Sequence, residues 1–161
     1  MYKIFNIAVI FCLMLFVLGC VHQNEISNVN EFKSSKHEKI YTMLKEERKK
    51  FNETYGSEFD ISRYTKNAKI MTHYNNEDII VSPQKLKEIW PEKVDNYKQM
   101  QIKIRTIEVE DINIEKNTAY VQLKNTYYFG RWNKFIKFRE NRVYKKIDGE
   151  WKFHKSKYKE I

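Results

Sequence analysis

Chemistry in a chain of 161 residues must come from its few reactive side chains, which here include four histidines and two cysteines. His22, His37, His73 and His154 are scattered, and none stands at a spacing that would turn it with a second ligand toward one ion, so no metal is expected. Nor is a cofactor expected. Four glycines are too few for a phosphate-cradling loop, and there is no serine-nucleophile motif. Glu140 and Arg142 share one strand parity, which an ordinary same-face ion pair explains. Residues 127–132, Tyr-Tyr-Phe-Gly-Arg-Trp, concentrate aromatics. Tyr127 and Phe129 should be core, with Tyr128 and Trp132 covering a sheet rim; a lip for a partner or ligand is the alternative.

The cysteines pose a different question. Met1 to Lys3 makes a short positive start, and residues 4–18 are apolar except for Asn6. A helix needs roughly 20 apolar residues to cross hydrocarbon, so this run has the form of a secretory signal rather than a permanent membrane span. Its end, Val17-Leu18-Gly19-Cys20, resembles the lipobox of bacterial lipoproteins. That resemblance implies removal of residues 1–19, a diacylglyceryl group on the Cys20 thiol, and an acylated amino terminus. Several acyl chains anchor a protein stably where one does not. Residues 20–35 are polar and aperiodic, a flexible tether in which His22 is solvated. With Cys12 discarded and Cys20 acylated, the fold must hold without a disulfide. The implied location is the cell envelope outside the cytosol. Val21 is not the Asp associated with inner-membrane retention, which favours the periplasmic face of an outer membrane where two membranes exist.

The remaining elements must position whatever acts. Ser35 and Glu38 form a capping-box pattern, and Ile40, Met43, Leu44, Phe51 and Tyr55 recur at helical spacing up to Gly56. The opposite "KEERKK" is expected to be a solvated face, and His37 exposed. "AKIMTHY" and "DIIVS" flank a turn-rich "NNE" and predict two short strands or a loose hairpin. Ser82-Pro83 should open a helix carrying Leu86, Ile89 and Trp90, which Pro91 kinks or restarts. Beyond Gln101 the apolar parity slips twice, from Ile102 and Ile104 to Ile107 and Val109, then to Ile112 and Ile114. Each slip implies a β-bulge and a bent sheet. Three or four long antiparallel strands should follow, the last pair joined at Asp148-Gly149. Helices grouped before strands make the class α+β, a single domain over 36–161.

In that order the first helix, "NAKIMTHY", "SPQKLKEIW", the bulged "QIKIRTIEVEDINI", "NTAYVQL" and "VYKKIDGEWKFH" resemble the nuclear transport factor 2-like superfamily, which includes SnoaL-like proteins and ketosteroid isomerases. The resemblance implies N-terminal helices packed in the concavity of a strongly curved, mostly antiparallel sheet, with a pocket at the open end of the cone.

Such a fold hosts several functions. An isomerase, dehydratase or hydrolase would need a base in the cone, and the candidates are Asp60, His73, Asp95, Glu140 and His154, with Asp95 and Glu140 foremost. None stands in a motif matching a catalytic member, so no catalytic residue is assigned. His73 reads as a surface or strand-end residue and His154 as outward-facing. The leading expectation is a lipid-anchored, non-catalytic binding or interaction module, with Trp90, Tyr97, Tyr127, Tyr128, Trp132 and Arg142 as candidate contacts for a small apolar ligand or an envelope protein. A component of a secretion or conjugation apparatus is a further alternative. The net charge of +9 at pH 7 falls by one when Lys3 is removed, and basic residues crowd the last two strands. They suit anionic headgroups or wall polymers; nucleic acid is not an expected partner of an exported protein.

Overall fold

The computed structural model describes residues 35–75 and 77–161. Residues 1–34, on which the expected signal segment, the lipidation site Cys20, His22 and most of the expected tether fall, lie outside the described residues. The first described element is helix α1 (Ser35–Thr54), and a short 3-10 turn (Ile61–Arg63) leads into the hairpin β1 (Tyr64–Tyr74) and β2 (Glu77–Val81). Helix α2 (Pro83–Gln99) follows, then β3 (Ile102–Glu115), β4 (Thr118–Phe129), β5 (Lys134–Ile147) and β6 (Glu150–Glu160).

Ile40, Leu44 and Arg48 recur every four residues on α1, so one stripe of the helix is buried. The solvated face expected for "KEERKK" is therefore incomplete: Arg48 is buried and Glu47 is half-buried, because both lie on the flank turned to the sheet. His37 is likewise not free, since its Nε2 donates to the Ile112 carbonyl at 3.2 Å. The helix ends before the expected Gly56, because Tyr55 and Gly56 both turn left-handed at φ 55° and 67°. There the Gly56 carbonyl accepts from Trp90 Nε1 at 2.6 Å, tying this turn to α2.

Ser82 caps α2 by accepting from the Lys85 amide, with Pro83 in the first turn. Pro91 neither breaks nor restarts the helix, which runs continuously to Gln99. Pro91 and Lys87, whose carbonyl loses its donor, are exposed, so water can replace the missing bond.

The six strands form one sheet in the order β2-β1-β6-β5-β4-β3. All neighbours are antiparallel except β1 and β6, which are parallel. The helices are thus not simply grouped before the strands, since β1 and β2 come between them. The two parity slips of β3 are register shifts between Ile104 and Thr106 and between Val109 and Asp111. The Asp148-Gly149 turn has positive φ at both positions, the type I′ pattern.

One cluster packs Ile40 and Leu44 of α1 on Ile104, Ile107, Val121, Leu123 and Tyr144, and a second packs Leu86 and Ile89 of α2 on Ala68, Ile70 and Val81. Phe153 borders both clusters, so both helices occupy the same, concave face of the curved sheet. The convex face is left to solvent. Leu44 is fully buried at the centre of the first cluster, and Leu44→Ala should cost about 2–5 kcal/mol in urea unfolding, whereas Lys45→Ala on the exposed side should stay within about 0.5 kcal/mol.

Candidate functional site

A buried arginine organises the concave face. Arg142 is 6% exposed on β5, and alternation along the strand points it, with Glu140 and Tyr144, toward the helices. Its Nη1 donates to both Glu47 carboxylate oxygens at 3.0 Å and to the Tyr144 hydroxyl at 3.2 Å. On the other side Nη2 donates to Glu140 Oε2 at 2.9 Å. Nε lies 2.9 Å from Glu140 Oε1, but at an angle that makes this an ion-pair contact rather than a hydrogen bond. Burial opposes the Arg142 charge, yet the Glu140 and Glu47 carboxylates outweigh it and hold the guanidinium well above its ordinary range. Asn125 Nδ2 adds a second donor to Glu140 Oε2 at 2.8 Å. Fixed in that orientation, the amide leaves its own Oδ1 buried without a partner.

Further along the same face an aromatic wall continues from this polar floor. The Tyr127 ring meets Phe138 edge-on at 5.6 Å, and Phe138 meets Tyr158 at 5.6 Å. From the helices, Phe51 and Trp90 pack on Tyr97 at 5.3 and 6.3 Å. Burial raises the Tyr97 and Tyr127 phenols far above their usual range. Neither hydroxyl has a hydrogen-bond partner among the described residues, whereas Tyr158 donates to Asp78 Oδ1 at 2.8 Å. The wall thus carries two phenol hydroxyls without a partner among the described residues, and Asn125 Oδ1, on the same face of β4 as Tyr127, is buried without one.

Beside Tyr97 lies a residue the sequence patterns did not single out. Lys93 is 6% exposed on α2, its Nζ donating to the His73 carbonyl at 2.8 Å and lying 5.4 Å from the Tyr97 ring centre. Burial brings its pKa down to about 8. A lysine at a core position of an amphipathic helix is the sequence clue that was available.

The other candidates fall elsewhere. Asp60 is exposed and caps the 3-10 turn, its carboxyl held below its usual range by hydrogen bonds from Ser62. Asp95 lies on the exposed side of α2. His73 is exposed with Nδ1 3.0 Å from Asp78 Oδ1. His154 has the outward parity expected of it but is half-buried against Thr65, whose hydroxyl is 2.8 Å from Nδ1, because β1 pairs alongside β6. Tyr128 packs on Phe135 and lies under the Arg105 guanidinium, while Trp132 is 55% exposed. Phe129 stacks on Trp132 instead of entering either core cluster. An open cleft of about 480 Å³ between α1 and the β5–β6 hairpin is lined by mixed charges, among them Glu46, Lys50, Arg63 and Glu150. No cluster of three potential metal ligands occurs among the described residues.

This architecture has solved counterparts. The chain is similar to a nuclear transport factor 2-like protein from Cytophaga hutchinsonii at 18% identity, with 80% of this chain and 100% of that one covered and a TM-score of 0.52. A nuclear transport factor 2-like protein of unknown function from Shewanella baltica matches at 16% identity over 82% and 98% of the two chains, TM-score 0.52. A domain of unknown function with a cystatin-like fold from Nostoc punctiforme matches at 12% identity over 80% and 79%, TM-score 0.61. No family model and no curated protein matches the sequence. The chain has the nuclear transport factor 2-like fold, and at these identities the likeness extends to fold alone.

Lys93 gives the fold a defined pH dependence. Its folded pKa is depressed, so between about pH 8 and the ordinary lysine pKa the unfolded chain binds more protons and stability rises with pH. Lys93→Met should remove that rise and stabilise the protein at pH 7 by up to about 3 kcal/mol, measured by denaturant unfolding at a series of pH values.

Proposed function

We propose that the protein is a lipid-anchored cell-envelope module that binds a small amphipathic molecule on its concave face without transforming it. The observation that carries this reading is the state of Glu140, which stands two residues from Phe138 of the aromatic wall on the same face of β5 and is 12% exposed. Both of its oxygens face Arg142, and Oε2 also accepts from Asn125, so the group best placed to act as a base is already occupied. What remains unpartnered there is the hydroxyl of Tyr97, the hydroxyl of Tyr127 and Asn125 Oδ1, groups that hold a ligand more readily than they move its protons. The Val17-Leu18-Gly19-Cys20 pattern supports the anchor.

A second reading has one specific observation in its favour. Glu140 and Tyr127 face the same concave side, near enough for the carboxylate charge to add to the burial that raises the phenol, and an acid with a phenol is the pairing that an isomerase or dehydratase of this fold would use. For that chemistry Glu140 would have to leave Arg142.

Native mass spectrometry of the protein extracted from its own membrane tests both points. The expected species begins at Cys20, carries diacylglyceryl and acyl mass, and retains a small molecule that is lost on Tyr127→Ala. A product that begins at Met1 with a free sulfhydryl at position 20 would refute the anchor. Conversion of the retained molecule that stops in Glu140→Gln would replace the binding reading with the enzymatic one.

A further inference from the structure

The convex face carries a charge pattern that the concave site does not explain. Strand alternation and register place Lys69 of β1, Lys137, Arg139 and Lys145 of β5, and Lys152, Lys155, Lys157 and Lys159 of β6 on this side. Within residues 137–145 and 152–159 the only acid is Glu140, which faces the other way, and β1 has no acid. Acids gather at the sheet edges instead, with Glu108, Glu110, Asp111 and Glu115 on β3 and Glu77 and Asp78 on β2. Glu110 reaches Arg139 and Lys124 and no further, so the seven lysines in the centre have no ion-pair partner among the described residues.

Three cross-strand pairs set cation directly against cation: Arg139 with Lys159, Lys145 with Lys152, and Lys69 with Lys155. Like charges opposite one another destabilise a sheet. His154, half-buried among them, has its proton affinity reduced by burial and then by Lys145 and Lys155. The face ends near Phe135, which is 56% exposed with its ring tilted 40° against Tyr128 at 5.0 Å. A second copy packed face to face would bring the same sign of charge to this face, which disfavours a symmetric sheet-on-sheet dimer here.

We propose that the convex face of β1, β6 and β5 is a docking surface for the anionic phospholipid headgroups of the membrane that holds the protein, with Phe135 entering the headgroup layer. This rests on the lipid-anchor reading for its choice of partner. The 15 residues from Cys20 to the start of α1 reach up to about 50 Å, which lets the domain lay this face on the bilayer at high effective concentration. Each lysine near an anionic surface adds favourable free energy, and several in register relieve the repulsion that the folded sheet otherwise carries.

The test uses residues 20–161 with Cys20→Ser, which has no acyl chain. Both hydrophobic clusters lie within residues 40–153, so this chain keeps the whole fold. Its binding to vesicles of phosphatidylcholine is compared with binding when phosphatidylglycerol is added. We expect binding only with the anionic lipid, at least about tenfold weakened by salt or by Lys145→Glu, Lys155→Glu, Lys157→Glu and Lys159→Glu together, which reverses one member of each like-charge pair. A control with Lys36→Glu, Lys39→Glu, Lys45→Glu and Lys49→Glu changes net charge equally on the exposed side of α1 and should retain binding. The sheet variant should unfold no more easily than the parent, because it relieves like-charge pairs. Equal losses in both variants, or no preference for anionic vesicles, would overturn the proposal. So would full displacement by soluble polyglycerol phosphate at equal phosphate together with no effect of Phe135→Ala, which would assign the face to a wall polymer. Because the tested chain is not acylated, its failure leaves the anchor to be judged by the mass at Cys20.

Discussion

The position of Arg142 constrains most of the concave face. A guanidinium carried to 6% exposure in the middle of a sheet is tolerated only when carboxylates and further acceptors compensate the lost water. Glu140 supplies one carboxylate from the same strand, and Glu47 supplies the other from α1, 95 residues away in the chain. The pair of bonds to Glu47 sets the rotation of α1 on the sheet, and that rotation puts Ile40 and Leu44 onto Val121 and Leu123. The same network absorbs Glu140, so one interaction both orients the helix and limits the chemistry.

The sequence revealed the bending of the sheet more clearly than its connectivity. Each change of apolar parity between Ile102 and Ile114 has to be absorbed by an extra residue, so both bulges of β3 were visible in the order of isoleucines and valines. The parallel pairing of β1 with β6 left no local trace, because it joins residues about 85–90 positions apart through no turn. Its consequences, among them the Thr65 contact of His154, were therefore hidden too. The restart considered at Pro91 does not occur, because proline disrupts a helix according to what surrounds the lost hydrogen bond, and that surrounding is tertiary.

The site was legible only in part. Glu140 and Arg142 could be paired from strand parity, and Tyr127 could be placed inward by the same argument. Glu47 and Arg48 lie in a run of charges whose composition is that of a solvated surface, and only the packing of α1 shows which of them turn inward. Lys93 was masked in the same way. The lysines of β5 and β6 were evident as a basic run, but their confinement to one face and the like-charge register needed the strand pairing.

The most direct measurement of the account is a double-mutant cycle across Glu47 and Arg142, followed by denaturant unfolding. Arg142→Met should cost about 3–5 kcal/mol, because it leaves two carboxylates without their cation, and its coupling to Glu47→Gln should exceed about 1 kcal/mol. A nearly neutral Arg142→Met, with effects that simply add to those of Glu47→Gln, would contradict the claim that this network orients α1 and occupies Glu140.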